Sequence, residues 1–217
     1  MSDVAATRRN FDPQSIERTY VIAMRDLYVE MLIPRLADIL ALRAPKASLR
    51  VIPWDTNDIE MQLGTGVADL GIGVDPPNST RIAGRKLLDE RFVCVAAKGV
   101  LKRRLTMKDY ANLRHIVITR TDTVSSPIDL LLAEQGLTRR VGLQIPYFSA
   151  ALAVVAQSSA MVMTAPERLA RRAIQQSELE IVSVAFAVPR FAVHIIWHER
   201  FGHDPLNRWL REQLGSI

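Results

Sequence analysis

The chain has 217 residues, of which 48% are hydrophobic and 24% charged, so it can bury the core of one domain or of two small ones. No apolar run reaches the roughly 20 residues that a membrane helix needs, and the N-terminus has no apolar stretch that could serve as a secretory signal. The single cysteine, Cys94, excludes an internal disulfide, and its apolar setting FVCVAA predicts a buried thiol. These features predict a cytoplasmic protein without membrane contacts.

The net charge of +5 raises the question of nucleic-acid binding. The basic residues come in scattered pairs, such as Arg8-Arg9 and Arg171-Arg172, and none of these pairs is interleaved with aromatic residues. Scattered pairs are typical of solvated faces. The charge therefore predicts no more than a mild attraction to DNA or other anions.

The first periodic stretch predicts a β-α-β unit. An apolar strand covers Thr19–Met24, Asp26 is expected to cap the following helix, Ala44-Pro45 ends that helix, and Leu49–Ile52 forms a second strand. Such a unit builds a parallel sheet, and ligands of parallel sheets gather at the carboxyl ends of the strands. The corner Met24–Tyr28 is therefore the first candidate site.

The next part of the chain predicts alternating short strands and helices. Gly64 and Gly66 are expected to end a short helix, and the glycines of VADLGIG indicate close backbone approach in the strand that follows. The predicted elements are a helix at 55–63, strands at 67–74, 87–88 and 92–97, a helix or turn at 105–113, and a strand at 116–119.

Three helix starts in the second half of the chain carry capping signals. Ser126 precedes Pro127 and Asp129, which predicts a capped helix that ends at Gly136. Ser149 is expected to cap the helix at 150–157. Thr164 and Glu167 are expected to form a capping box for the helix at 165–174. Strands are predicted at 141–145, 160–163, 181–184 and 191–197, and an amphipathic helix at 204–214 closes the chain.

Strands that alternate with helices predict an α/β architecture with mostly parallel sheets. Near Ala97 the sequence changes from an apolar strand to a basic, glycine-containing segment, which predicts a boundary between two lobes. The strand at 191–197 and the helix at 204–214 would then return the chain to the first lobe. Two such crossings would form a hinge, and the cleft between the lobes would be the binding site.

The predicted site chemistry rests on three helix N-termini, at Asp26, Ser126 and Ser149. A helix N-terminus presents unpaired N–H groups and a partial positive charge, which favour an anion. Donors and flat apolar side chains surround these helix starts, a mixture that suits a small aromatic acid; they are Arg25, Tyr28, Thr121, Thr123, Tyr147 and Phe148. The alternative is that these residues are ordinary caps and loop positions.

Signatures of enzymes and metal sites are missing from the sequence. His194 and His198 have i, i+4 spacing, but they fall in a predicted strand and not on a helix face, and no H-E-x-x-H pattern occurs. There is no nucleophile elbow, no P-loop and no G-x-G-x-x-G. We therefore predict no catalytic residue, no metal and no cofactor.

Several motifs, in this order, resemble the effector-binding domain of LysR-type transcriptional regulators. GVADLGIG at 66–73 is similar to the family segment G-x-x-D-L-x-I-G, and the opening TYVIAMRDLYVEMLIPRLADILALRAP is similar to the first strand and helix of that domain. Further similarity runs through FVCVAA, the tract at 136–170 and the ending WHERFGHDPLNRWLREQL. The corner MRDLYVEM and this ending most resemble the regulators of nodulation and of naphthalene or salicylate metabolism.

The resemblance implies a type 2 periplasmic-binding-protein-like fold with two lobes, a hinge and an interlobe cleft. Lobe I would hold 19–96 plus 195–217 and lobe II 97–194, with 1–18 as a tail or the end of a linker. The implied effector contacts are Met24, Arg25, Asp26, Tyr28, Asp75, Thr121, Thr123, Tyr147 and Phe148. The subgroup often has a histidine at the position of Tyr147 and a small hydroxyl residue at that of Arg25, and Arg25 is suited to a carboxylate.

The resemblance also implies the partners. The family forms side-by-side homodimers, and a tetramer is an alternative for the full-length protein. The implied interface residues are Leu32, Leu36, Ile39, Leu40, Val51, Ala151, Val154 and Val155. The family's N-terminal winged helix-turn-helix is absent from the sequence, so DNA would be contacted only through that missing domain. The expected function is control of transcription by a small effector; the alternative is a stand-alone solute-binding protein of a transporter.

Overall fold

The computed structural model describes residues 11–55, 57–74, 76–101, 104–119 and 126–217. The chain forms two compact units. Unit 1 comprises Met1–Leu87 and His194–Ile217, and unit 2 comprises Leu88–Val193. Every helix among the described residues is too short or too polar to cross a lipid bilayer.

The strands and helices alternate along most of the chain, as predicted. The strands are β1 Thr19–Met24, β2 Ser48–Pro53, β3 Leu70–Gly73, β4 Ile82–Ala97, β5 Arg114–Ile118, β6 Arg140–Ile145, β7 Met161–Pro166, β8 Leu179–Val182 and β9 Arg190–His198. The α-helices are α1 Asp26–Arg43, α2 Ile59–Thr65, α3 Met107–Asn112, α4 Pro127–Ala133, α5 Phe148–Ala156, α6 Glu167–Ala173 and α7 Pro205–Gly215. Short 3-10 helices lie at Pro13–Ser15 and Glu199–Phe201.

The sheet of unit 1 is built on the predicted β-α-β unit. β1 pairs in parallel with β2 on one side and with β3 on the other, and β9 runs antiparallel to β3. All residues of β1 after Thr19 are buried. Helix α7 covers Tyr20, whose ring stacks on Trp209 with a centroid distance of 6.1 Å. The C-terminal segment therefore belongs to the core of unit 1.

Asp69 of the VADLGIG motif holds the strands of unit 1 together. Its carboxylate accepts the backbone N–H of Val21 at 2.7 Å and forms an ion pair with Arg18. Its carbonyl oxygen accepts the Asn207 side-chain amide of α7 at 2.8 Å. The motif that carries the family resemblance thus has a structural role at its aspartate.

The sheet of unit 2 is mixed. β5 pairs in parallel with both β6 and β7, while β4 runs antiparallel to β7 and β8. Cys94 of β4 is 2% exposed, and burial raises the pKa of its thiol to about 12, which confirms the predicted buried thiol. The core around it also holds Tyr110, Ile128 and Leu132.

The local signals at Ser126 and Gly66 are confirmed, and that at Gly136 is confirmed in part. Ser126 and Asp129 form a reciprocal capping box at the start of α4. Gly66 has a φ of 80° and is the C-cap of α2, but Gly64, which was also predicted to end this helix, lies inside it. Gly136 has the expected left-handed φ of 65°, but α4 ends at Ala133, three residues earlier than predicted.

Three capping predictions are wrong. Asp26 is the first helical residue of α1, and Arg25 is its N-cap. Ser149 lies inside α5, which starts one residue earlier. Thr164 lies in β7 and does not cap α6, because β7 stays paired with β4 as far as Pro166. The Thr164 hydroxyl is instead hydrogen-bonded to the Tyr110 hydroxyl.

The strands predicted at 87–88 and 92–97 are one continuous strand, β4, which starts at Ile82. The polar residues between 84 and 91 hid this continuity, since they interrupt the apolar pattern. The compact units divide inside β4, between Leu87 and Leu88, whereas the predicted lobes divide after 96. The assignment of 19–96 plus 195–217 and of 97–194 to lobes stays a prediction.

Candidate functional site

In unit 1 the carboxyl ends of three strands meet beside Met24. The parallel registers place Met24 next to Pro53 of β2 and Ile72 of β3. The backbone N–H of Trp54 donates to the Met24 carbonyl oxygen at 3.2 Å, which extends the pairing of β1 and β2 by one residue. The predicted corner therefore lies at the edge of a parallel sheet, where ligands of such sheets bind.

Helix α1 starts at this edge without a side-chain cap. Its N-cap, Arg25, has extended backbone angles of φ −83° and ψ 157°, its side chain makes no capping hydrogen bond, and it is exposed. The helix is 18 residues long, so a partial positive charge develops at its N-terminus. The Arg25 guanidinium adds a full positive charge at the same place. This corner can receive an anion.

The other predicted residues of the corner are less accessible than Arg25. Met24 is 2% exposed and Tyr28 3% exposed, so both belong mainly to the core of unit 1, and Asp26 is half-buried. Of the four residues, only Arg25 is exposed.

Trp54 is a residue of this edge that the sequence reasoning missed. It is 3% exposed, and its indole lies against β3. A Cβ at Gly71 would lie 2.8 Å from Trp54 Cζ3, and one at Gly73 would lie 3.0 Å from Trp54 Cε2. The indole can therefore occupy this place only because both positions are glycine. The glycines of VADLGIG signalled a close approach, but not the residue that makes it.

In unit 2 the corresponding helix start is that of α5, after β6. Its N-cap, Tyr147, is 59% exposed and makes no capping hydrogen bond through its side chain. Phe148, the first helical residue, is 7% exposed and packs inward. A flat aromatic ring at an uncapped helix end is the feature that the sequence predicted, although Ser149 is not the cap.

The third predicted helix start, at Ser126, is closed by the protein's own side chains. Asp129 accepts the Ser126 backbone N–H at 2.9 Å, and Arg139 donates to both carboxylate oxygens of Asp129 at 2.7 Å. Arg139 also donates to the Ser126 hydroxyl at 3.0 Å. Burial raises the pKa of Asp129, but the hydrogen bonds from Arg139 and Ser126 lower it more, so it lies below its ordinary value. This start is less open to an anion than those of α1 and α5.

The residues Asp75, Thr121 and Thr123 lie outside the described part of the chain. Their predicted effector contacts stay predictions. Among the described residues, no group of three His, Cys, Asp or Glu side chains is arranged to hold a metal ion.

Most of the predicted interface residues are buried in their own unit. Leu32, Leu36 and Leu40 of α1 and Ala151 and Val155 of α5 are at most 5% exposed, so they are core residues. Ile39 and Val51 are half-buried, and Val154 is 36% exposed. The spacing of apolar residues thus predicted the faces of α1 and α5 that point into the core of their own unit. Of the predicted interface residues, only Ile39, Val51 and Val154 are accessible to a partner.

Two α/β units, with the chain crossing from one to the other in β4 and back in β9, define the type 2 periplasmic-binding-protein-like fold, a class built to bind small ligands. The chain belongs to the LysR substrate binding domain family, because the sequence model of this family matches residues 13–216. The fold and the family predicted from the sequence are confirmed.

The relatives are transcriptional regulators. The chain is 29% identical over 210 residues to the HTH-type transcriptional activator NahR of Pseudomonas putida, a match that covers 96% of this chain and 70% of NahR. It is 28% identical to Nodulation protein D 2 of Sinorhizobium fredii, covering 94% and 66% of the two chains. Both belong to the predicted subgroup.

A solved structure shows the same fold. A probable transcriptional regulator of Pseudomonas aeruginosa superposes with a TM-score of 0.85 at 29% identity, over 95% of this chain and 69% of the other. The chain is thus an effector-binding domain of the LysR type. The alternative of a stand-alone solute-binding protein is not favoured.

Proposed function

We propose that this domain senses a small aromatic or carboxylate effector and controls transcription as part of a LysR-type regulator. The observation that carries the proposal is the start of α1, where an uncapped helix N-terminus and the exposed Arg25 lie together at the carboxyl edge of the sheet. A carboxylate there would accept backbone N–H groups and a charge-assisted hydrogen bond from the guanidinium.

The proposed effector contacts are those that the family resemblance implies: Met24, Arg25, Asp26, Tyr28, Asp75, Thr121, Thr123, Tyr147 and Phe148. Within this set, Arg25 would bind the acid group. The exposed ring of Tyr147 would offer a flat surface to an aromatic ring.

The partners follow from the family. The domain would act in a homodimer, and DNA recognition would lie outside the effector-binding domain. Because transcription is controlled where the DNA is, we place the protein in the cytoplasm.

The test is a titration with benzoate and salicylate, followed by calorimetry and by the shift of the thermal unfolding midpoint. Loss of a charge-assisted hydrogen bond costs about 1.5–3 kcal/mol, so Arg25→Ala should weaken binding roughly 10- to 100-fold. Arg50→Ala is the matched control, because Arg50 is also an exposed arginine of unit 1 but lies in β2.

The control variant should bind as the wild type does. If both variants bind with unchanged affinity, the assignment of the acid group to Arg25 is wrong. If neither acid binds the wild type, the aromatic carboxylate class is wrong.

A further inference from the structure

Unit 2 contains a cavity of about 390 Å³ whose lining is entirely charged. It lies where β4 enters the unit, beside the first residue of β9 and the start of α6. The lining residues are Asp89, Glu90, Arg91, Glu167, Arg168, Arg171 and Arg190. None of them belongs to the proposed effector contacts.

The glutamates of the cavity are already engaged by protein donors. Glu167 accepts Arg91 Nη2 and Arg171 Nη2, each at 2.7 Å, and these contacts lower its pKa to about 2. Glu90 is 6% exposed and accepts the backbone N–H groups of Arg91 at 2.9 Å and of Arg168 at 3.3 Å. Glu167 therefore stays ionised and holds Arg91 and Arg171 in place.

Two of the four arginines are only weakly engaged. The Arg168 Nε lies 3.9 Å from Glu90, beyond hydrogen-bond distance, and its side chain is 59% exposed. Arg190 has no ion pair and no side-chain hydrogen bond with any residue that the structure describes. Four guanidinium groups against three carboxylates leave the cavity with a net positive charge.

We propose that this cavity binds the phosphoryl group of a small anionic metabolite, with inorganic phosphate as the minimal ligand. A guanidinium group presents its N–H donors in a planar fork that matches the oxygens of phosphate, and Arg168 and Arg190 have such donors to offer. The volume falls within the range of small-molecule sites, about 300–1,000 Å³, and exceeds the needs of a bare ion.

The cavity is separate from the predicted effector contacts of unit 2. Glu167 follows directly on the end of β7, while Tyr147 follows β6, and β5 lies between these two strands. Two strand spacings amount to about 10 Å. Both places lie at the carboxyl edge of the sheet, so the anion would bind next to the effector-binding part of the unit without using its residues.

The experiment is an isothermal titration of the domain with sodium phosphate, with sodium chloride used to keep the ionic strength constant. The wild type should show saturable binding. The double variant Arg168→Ala/Arg190→Ala should bind at least 10-fold more weakly. Arg140→Ala is the matched control, an exposed arginine of unit 2 that lies in β6, and it should bind as the wild type does.

The proposal would be overturned if titration of the wild type with phosphate gave no saturable heat. An equal loss in Arg140→Ala would also overturn it, because the effect would then come from overall charge. Circular dichroism and thermal unfolding of the double variant show whether it is folded; both substituted side chains are exposed, so we expect an unchanged midpoint.

Two further arms identify the source of the phosphoryl group and separate the site from the effector site. Glucose 6-phosphate should bind more tightly than phosphate if the cavity takes a metabolite, and equally if it takes the free ion, while glucose should not bind. Salicylate affinity should be the same in the wild type and the double variant. A parallel loss of salicylate and phosphate binding in a folded double variant would contradict a separate site.

Discussion

At the scale of single residues, His115 makes a pH dependence predictable. The side chain is completely buried in unit 2, and its Nε2 lies 2.7 Å from the carbonyl oxygen of Tyr110. Its Nδ1 is buried without a hydrogen-bond partner among the described residues. Burial, which disfavours the charged ring, lowers the pKa of His115 to about 4.

We expect the domain to lose stability as the pH falls from 6.5 to 4. In that interval the unfolded chain takes up a proton on His115 and the folded one does not, so the stabilisation is complete above pH 6.5. The pKa difference corresponds to about 3 kcal/mol. Urea unfolding at several pH values measures this loss of unfolding free energy. The part of the loss that comes from the histidine should be absent from His115→Gln.

Two carboxylates with lowered pKa contribute only at the acid end of this interval, and they contribute equally in the wild type and in His115→Gln. The pKa of Glu167 is lowered from 4.5 to about 2 by its arginine partners, so its stabilisation is lost as the pH falls from about 4.5 towards 2; the pKa of Asp129 is also lowered. If the wild type and His115→Gln lose stability in parallel between pH 6.5 and 4, the buried neutral histidine is not the cause.

At the scale of elements, the contact between β3 and Trp54 shows why Gly73 is required. A Cβ at this position would lie 3.0 Å from the indole, closer than side chains tolerate without a shift. Gly73→Ala should therefore lower the free energy of unfolding by about 1–3 kcal/mol. Adding Trp54→Phe, which removes the clashing ring, should recover part of that loss relative to Trp54→Phe alone.

The double-mutant cycle provides the control for this pair. A coupling between the two substitutions of at least about 0.5 kcal/mol is expected of residues in contact. Strictly additive losses would mean that Gly73 is required for another reason. Denaturant unfolding of the four proteins gives the coupling directly.

Helix starts show how far the sequence predicts such elements. The capping box at the start of α4 was predictable because its two residues, Ser126 and Asp129, are only three positions apart in the sequence. The starts near Thr164 and Ser149 were not, because pairing of β7 with β4 and packing of Phe148 set them, and neither contact is visible locally.

The same limit applies to the site. The corner at Arg25 follows from the order of a strand and a helix, and the sequence predicted it. Trp54 comes from the end of another strand, and Arg139 reaches Asp129 across a turn, so both needed the fold. Sequence patterns thus located the edge of the sheet, while the side chains that complete it depend on tertiary packing.

At the scale of the whole molecule, the outer face of α5 is where a partner subunit could bind. Its inward residues Ala151 and Val155 are fully buried, which leaves Val154 as the exposed apolar residue of the predicted interface. A cavity of about 460 Å³ adjoins Val154 and Met161. We propose that this face, and not the buried stripe, contacts α1 and β2 of a second copy.

Val154→Glu should therefore convert a dimer into a monomer, because a charge in the centre of an apolar interface is costly to desolvate. Light scattering after size-exclusion chromatography would show the mass fall from two chains to one. Leu130→Glu is the matched control, since Leu130 is 61% exposed on α4 and lies outside the predicted interface. The control should remain a dimer, and both variants should keep the unfolding midpoint of a folded unit 2. A dimer that survives Val154→Glu, or that is lost equally in Leu130→Glu, would exclude the outer face of α5 as the interface.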